Sequence, residues 1–213
     1  MTRTPTSDPE GTGGVGTVDR NHLLLVGAGP GLGMAVAHRF AVGGYRVTLV
    51  ARSTDGLGDL AGSLSDTGAE IGTIAADASD PEGLGARMAE LYPGEAAPGV
   101  IVYNAVMGAP DQLLSASVAH LQAAYAVDVI SANVVAQVAA PAMKAPRFGT
   151  MIVTEGGFAD HPIPALATVS LGKAALRSAA TMLGADLEPD GIRVATLTIE
   201  EVARMRATHE MAA

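Results

Sequence analysis

The 213-residue sequence contains no cysteine, and aromatic residues make up only 3% of it. Without thiols there is neither a disulfide framework nor a thiolate metal site, which fits a reducing cytoplasm, the expected compartment. With few rings available, the core must be built from Val, Leu, Ile, Ala and Met. Positive charge is scarce as well. Thirteen Lys and Arg stand against 22 Asp and Glu, for a formal charge of -9, and no basic run occurs. That excludes a nucleic-acid groove or a polybasic membrane surface as the expected partner, because both need clustered cations. The longest apolar stretches, such as "LLLVGAGPGLGMAVA", are interrupted by Gly and Pro and read as too short to span a membrane. The start, "MTRTPTSDPEGTGGVGTVDR", has no apolar core like that of a signal peptide, and residues 1–20 are read as a flexible tail.

What is present is glycine, 26 residues of it, and a hydrophobic fraction of 48% against 16% charged, the balance of one globular domain. From His22 onward short apolar runs alternate with longer stretches of helical spacing. Six runs read as strands covered on both faces: 22–27, 46–51, 70–76, 99–104, 150–154 and 192–199. Helices are expected at 31–43, 55–66, 80–92, 118–144 and 166–188, with Asp80-Pro81 as a helix start and Asp190-Gly191 as a turn. This rhythm predicts an α/β doubly wound parallel sheet, Rossmann-like and three-layered (α/β/α), over 21–199, with 200–213 as a C-terminal helix or tail.

The first strand runs straight into "GAGPGLG", Gly27 to Gly33, which opens a helix. Glycines there allow a tight turn and let backbone N–H groups approach a pyrophosphate at the helix N-terminus. Gly27, Gly29, Gly31, Leu32 and Gly33 are the candidate cofactor residues of this loop. The second strand ends "VTLVARS". No acid stands near Ala51, where an NAD site would carry one for the ribose 2'-hydroxyl; Arg52 and Ser53 follow instead and suit a 2'-phosphate. NADP (NADPH) is therefore expected over NAD.

With these residues in view, the chain resembles the short-chain dehydrogenase/reductase family over roughly residues 21–199. The loop is similar to that family's T-G-x-x-x-G-x-G, with Val26 for Thr and glycines at 27, 31 and 33. "AADAS" matches its adenine-contacting Asp at Asp77, followed by Ala78, and "YNAV" matches N-N-A-G through Asn104 and Ala105. Lys173 falls on the lysine of Y-x-x-x-K, which by resemblance holds the nicotinamide ribose. The resemblance also implies a homodimer or homotetramer through helices 118–144 and 166–188, whose apolar residues exceed one face.

The other half of the pattern differs. Val169 stands where the family has its proton-donating tyrosine, "TEGG" with Glu155 where it has its serine, and Asp128 where it has a helical asparagine. The usual Pro-Gly is replaced by Ile199 and Glu200, and the C-terminal part is shortened. Loss of general acid help costs roughly 3 to 5 kcal/mol of barrier unless another group substitutes. Candidates are Glu155, Asp160 and His161, on the loop at the carboxyl edge of the sheet, and Asp128, a buried acid or a hydrogen-bonded structural residue. No metal is expected, since the His and carboxylates lack helical ligand spacing. Three readings follow: an NADP-binding oxidoreductase acting on a small carbonyl or alcohol with a non-standard proton donor and Lys173 retained; a non-redox isomerase, lyase or cyclase on the same fold using Glu155, His161 or Asp128; and a non-catalytic binding or scaffold subunit.

Overall fold

A computed structural model describes residues 18–92 and 97–199. Six strands, all paired in parallel, form a single sheet in the order β3-β2-β1-β4-β5-β6. They are β1 (Val18–Val26), β2 (Arg46–Ala51), β3 (Ile71–Ala75), β4 (Ala97–Tyr103), β5 (Gly149–Gly156) and β6 (Ile192–Ile199). The doubly wound reading holds, and two strands match their predicted bounds, 46–51 and 192–199. β1 starts earlier than expected, at Val18, so Val18–Arg20 belong to the sheet and not to a tail. Residues 1–17, Glu200 and the remainder of 200–213 lie outside the described residues.

The crossover helices are α1 (Leu32–Val42), α2 (Thr54–Gly62), α3 (Pro81–Ala89), α4 (Val118–Tyr125), α5 (Ser131–Lys144) and α6 (Ala167–Leu187). Each start has a local cause. Ser53, Asp80 and Ser117 cap α2, α3 and α4 by accepting the N–H groups of Gly56, Gly83 and His120. α6 is capped from a distance, its Thr168 N–H bonding the carboxylate of Asp111 at 3.2 and 3.3 Å. α1 begins at Gly31 with no side-chain cap and no acid in its first turn.

Leu24, Val26, Ile101, Met151 and Val153 bury one face of the sheet against α3, α5 and α6, while Leu23, Leu25, Val47 and Leu49 bury the other against α1 and α2. α4 and α5 are joined by a π-helical turn, Ala126–Ile130. Together they make a 27-residue stretch in which an 18-residue window has a mean hydropathy of 1.4, long and apolar enough by length and composition to cross a bilayer, which the broken runs had not suggested. Its apolarity is met inside the protein: Val135, Ala136, Ala139 and Met143 enter the core, and Asp128 stands buried at its middle.

Candidate functional site

The strand order reverses between β1 and β4, and their carboxyl ends open the crevice in which sheets of this kind bind ligands. Gly27 leaves β1 there with φ +89°, and a Cβ on it would lie 2.3 Å from the Ala105 nitrogen, so only glycine fits between the first loop and the end of β4. Gly33 packs as closely on the loop, a built Cβ meeting the Gly27 oxygen at 3.1 Å. At Gly29 and Gly31 a Cβ would meet nothing within 4 Å. The loop is thus pinned on its inner side and open on its outer side, at a helix N-terminus with no competing side chain. These residues fit a pyrophosphate.

A chain of hydrogen bonds runs from this loop to α6. The Asn104 amide donates to the Gly27 carbonyl at 2.9 Å, and its Oδ1 accepts the Thr154 hydroxyl at 2.9 Å. The Thr154 carbonyl accepts Lys173 Nζ at 3.0 Å. Lys173 is 5% exposed, so it does not lie on the wet side of its helix. Burial drives its pKa below the usual lysine value, against the pull of Asp128 and Glu155, which favour the cation. The structure therefore brings together Gly27, Asn104, Ala105 and Lys173 from three separate segments, the loops after β1 and β4 and helix α6.

On the far side of the loop, Arg52 is exposed directly after β2, and Ser53 uses its hydroxyl oxygen to cap α2, accepting from Gly56 at 3.1 Å. Asp77 is exposed and accepts the Ser79 N–H at 2.8 Å, and the Ala78 carbonyl accepts the Ser131 hydroxyl at 2.7 Å, which ties the loop after β3 to the start of α5.

The groups considered for acid or base work separate. Glu155 is 2% exposed, and its carboxylate accepts from Arg177 Nε at 2.9 Å, from Nη2 at 2.7 Å and from the Thr198 hydroxyl at 2.9 Å. Arg177 also grips Asp160. Both loop carboxylates that were candidates alongside His161 are thus held by a guanidinium, and His161 is exposed after the short helix Gly157–Ala159. Asp128 is fully buried in the π turn; burial lifts its carboxyl to about 6, opposed by Lys173 and by the Met107 N–H. Ser170 donates to the Leu166 carbonyl and accepts from the Ile163 N–H, a structural task.

Several participants were not read from the sequence. Phe158 is one of them and lies over Gly156, so that a Cβ there would be 2.5 Å from the ring, while Val169, which the sequence had placed four residues before Lys173, is buried. This part of the site is apolar. The Tyr103 hydroxyl donates to the Val127 carbonyl in the π turn. Its place in "YNAV" was the one available signal. Arg177, Thr154 and Asp111 offered none, because each acts on a residue distant in sequence.

The profile described as short chain dehydrogenase matches residues 21–209. A 3-dehydrosphinganine reductase of Arabidopsis thaliana is 28% identical over 182 residues, 83% of this chain and 53% of that protein. An uncharacterized oxidoreductase of Mycobacterium tuberculosis is 32% identical over 177 residues, 81% of this chain and 66% of that one. The chain thus spans between about half and two thirds of these relatives' length. Among solved structures, L-sorbose reductase from Gluconobacter frateurii, complexed with NADPH and L-sorbose, superposes with a TM-score of 0.79 at 27% identity, covering 85% of this chain and 70% of that one. Other structures of this fold carry NADP or NAD+.

Proposed function

The chain belongs to the short-chain dehydrogenase family, and from that premise we propose that it is an NADP(H)-dependent oxidoreductase acting on a small carbonyl or alcohol. The observation that carries this reading is the hydrogen-bond chain Lys173–Thr154–Asn104–Gly27, which holds a buried ammonium in register with an open glycine cradle. Gly27, Gly29, Gly31, Leu32 and Gly33 would hold the pyrophosphate, Arg52 and Ser53 the 2'-phosphate, Asp77 and Ala78 the adenine side, and Asn104, Ala105 and Lys173 the nicotinamide side. Bound NADPH supplies the hydride. The chain's own contribution is to fix the ring side of the crevice and keep it dry with Val169 and Phe158. The exposed Tyr125, Ile130 and Leu171 flank an apolar groove of about 500 Å³ on α4 and α6, which supports pairing of two copies there.

The test is NADPH oxidation, followed by absorbance against a panel of small aldehydes and ketones. Wild type should turn over at least one of them, and Lys173→Met should lower kcat/KM by about 100-fold or more. NADPH binding without turnover of any carbonyl or alcohol would point to a second reading, a nucleotide-binding subunit without redox activity, which the apolar Val169 in the place of a proton donor favours.

A further inference from the structure

Past the glycine cradle and Lys173, the crevice ends in side chains to which the cofactor gives no task. Three segments meet there. The chain leaves β4 and β5 from adjacent points of the carboxyl edge: Tyr103 pairs with Val153, and the side chains of Asn104 and Thr154 bond at 2.9 Å. Helix α6 forms the third side. Its Lys173 reaches the Thr154 carbonyl, and the short helix Gly157–Ala159 packs against it. On the β4 side the Met107 N–H bonds Asp128 at 3.4 Å, and the Asp128 carboxylate lies so close to Gly172 of α6 that a Cβ there would collide with it. The first turn of α6 holds Ile163, whose N–H donates to the Ser170 hydroxyl at 3.1 Å.

Each segment contributes an apolar side chain. Val169, four residues before Lys173, shares its helix face and is buried. Phe158 covers Gly156 after β5. Val106, two residues beyond Asn104, is 46% exposed, and Ile163 is 36% exposed. The polar groups nearby are engaged with one another. Arg177 holds Glu155 and Asp160, Thr198 also donates to Glu155, and the Thr154 hydroxyl donates to Asn104. The Ser170 hydroxyl donates to the Leu166 carbonyl, and Asp128 is fully buried. His161 is exposed, a single polar side chain against four apolar ones. A substrate rich in hydroxyls would lose its water there and leave most of them without partners, whereas an alkyl chain gains by leaving water for the same walls.

We infer that this end of the crevice, walled by Val106, Phe158, Ile163 and Val169, takes a carbonyl borne on an alkyl chain, an aliphatic aldehyde or ketone, and rejects ketoses and other polyols. That the bound carbonyl is reduced rests on the hydride reading; the class of the substrate is carried by the walls themselves. The same walls set this chain apart from L-sorbose reductase, which was solved with L-sorbose. A site discriminates strongly against hydroxyls only by failing to pair them, and that is the condition met here.

The experiment uses the full chain with NADPH, the straight-chain aldehydes from propanal to hexanal, and L-sorbose. Each added CH₂ should raise kcat/KM about threefold, the gain for burying most of a methylene, and L-sorbose should fall at least about 100-fold below hexanal. Phe158→Ser and Val106→Ser should each narrow the ratio of hexanal to propanal about threefold or more; Val106 is exposed, so its variant decides where Phe158→Ser does not fold. A wild-type ratio near 1, or L-sorbose reduced as well as hexanal, overturns the alkyl class. A ratio unchanged in the variants overturns these residues as its walls. Wild type that reduces no carbonyl overturns the hydride reading, and the class is then decided by thermal stability with NADPH present and the unreactive propanamide or hexanamide added. Stabilisation by hexanamide at about tenfold lower concentration than propanamide supports the alkyl class, and equal stabilisation, or none by either, overturns it.

Discussion

Asn104→Ala removes the central link between the glycine loop and Lys173, and its cost follows from what it strands. The Gly27 carbonyl loses its 2.9 Å donor, and the Thr154 hydroxyl loses its 2.9 Å acceptor and keeps only a weak bond of 3.4 Å to the Tyr103 carbonyl. The backbone bond from Asn104 N–H to the Val26 carbonyl, 2.7 Å, survives. Each buried group left without a partner costs about 1–3 kcal/mol, and Asn104 is only partly buried, so the two together come to about 2–4 kcal/mol. For a chain of this size that corresponds to a melting temperature lower by about 4–16 °C. Thr154→Val, nearly isosteric, strands only Asn104 Oδ1 and leaves the backbone carbonyl on Lys173 intact, for about 1–2 kcal/mol. Because both changes break the same bond, the double variant should be about 0.5–2 kcal/mol more stable than the sum predicts. Denaturant titration of the four proteins measures this coupling. Strict additivity would refute the claim that the chain of hydrogen bonds acts as a unit.

Gly27→Ala should abolish NADPH binding and lower folded yield, because its Cβ would collide with the Ala105 backbone at a positive φ; comparison of soluble yield and nucleotide titration checks it. Arg177→Ala should lower the melting temperature by several degrees, since Glu155 would remain buried with only the Thr198 hydroxyl, whereas Asp160→Asn, at an exposed carboxylate, should shift it little. Arg52→Ala should weaken NADPH binding about tenfold or more and leave NADH binding unchanged, in fluorescence titrations of both nucleotides. Equal losses for both would remove Arg52 from the 2'-phosphate.

The middle of the sheet was readable because its strands are buried on both faces and so appear as continuous apolar runs, and β2 keeps its predicted bounds for that reason; β6 keeps its bounds although most of it is exposed, because a turn at Asp190-Gly191 starts it and its residues alternate between β-branched and aliphatic types. Strand ends were harder to see. β5 runs to Gly156 because Glu155 pairs with Thr198 and Gly156 with Ile199, and neither polar nor glycine letters look like strand. The same blindness made Glu155 look like a free loop acid, when its role is set by Arg177, 22 positions away on another element. The glycine loop and Asn104 were legible because their constraint is local backbone geometry at a strand end. The π turn was not, since a shift in hydrogen-bond register has no residue signature, and with it went the setting of Asp128. Asp111, which caps α6 from 57 residues away, was equally hidden.

The most direct measurement is a titration of the purified protein with NADPH and NADH, following nicotinamide fluorescence and thermal stability together. A ligand at 100 times its Kd stabilises the native state by about 2.7 kcal/mol, or about 5–10 °C here. The account predicts that shift with NADPH, a concurrent fluorescence change and a weaker response to NADH. No shift and no fluorescence change with either nucleotide would contradict it.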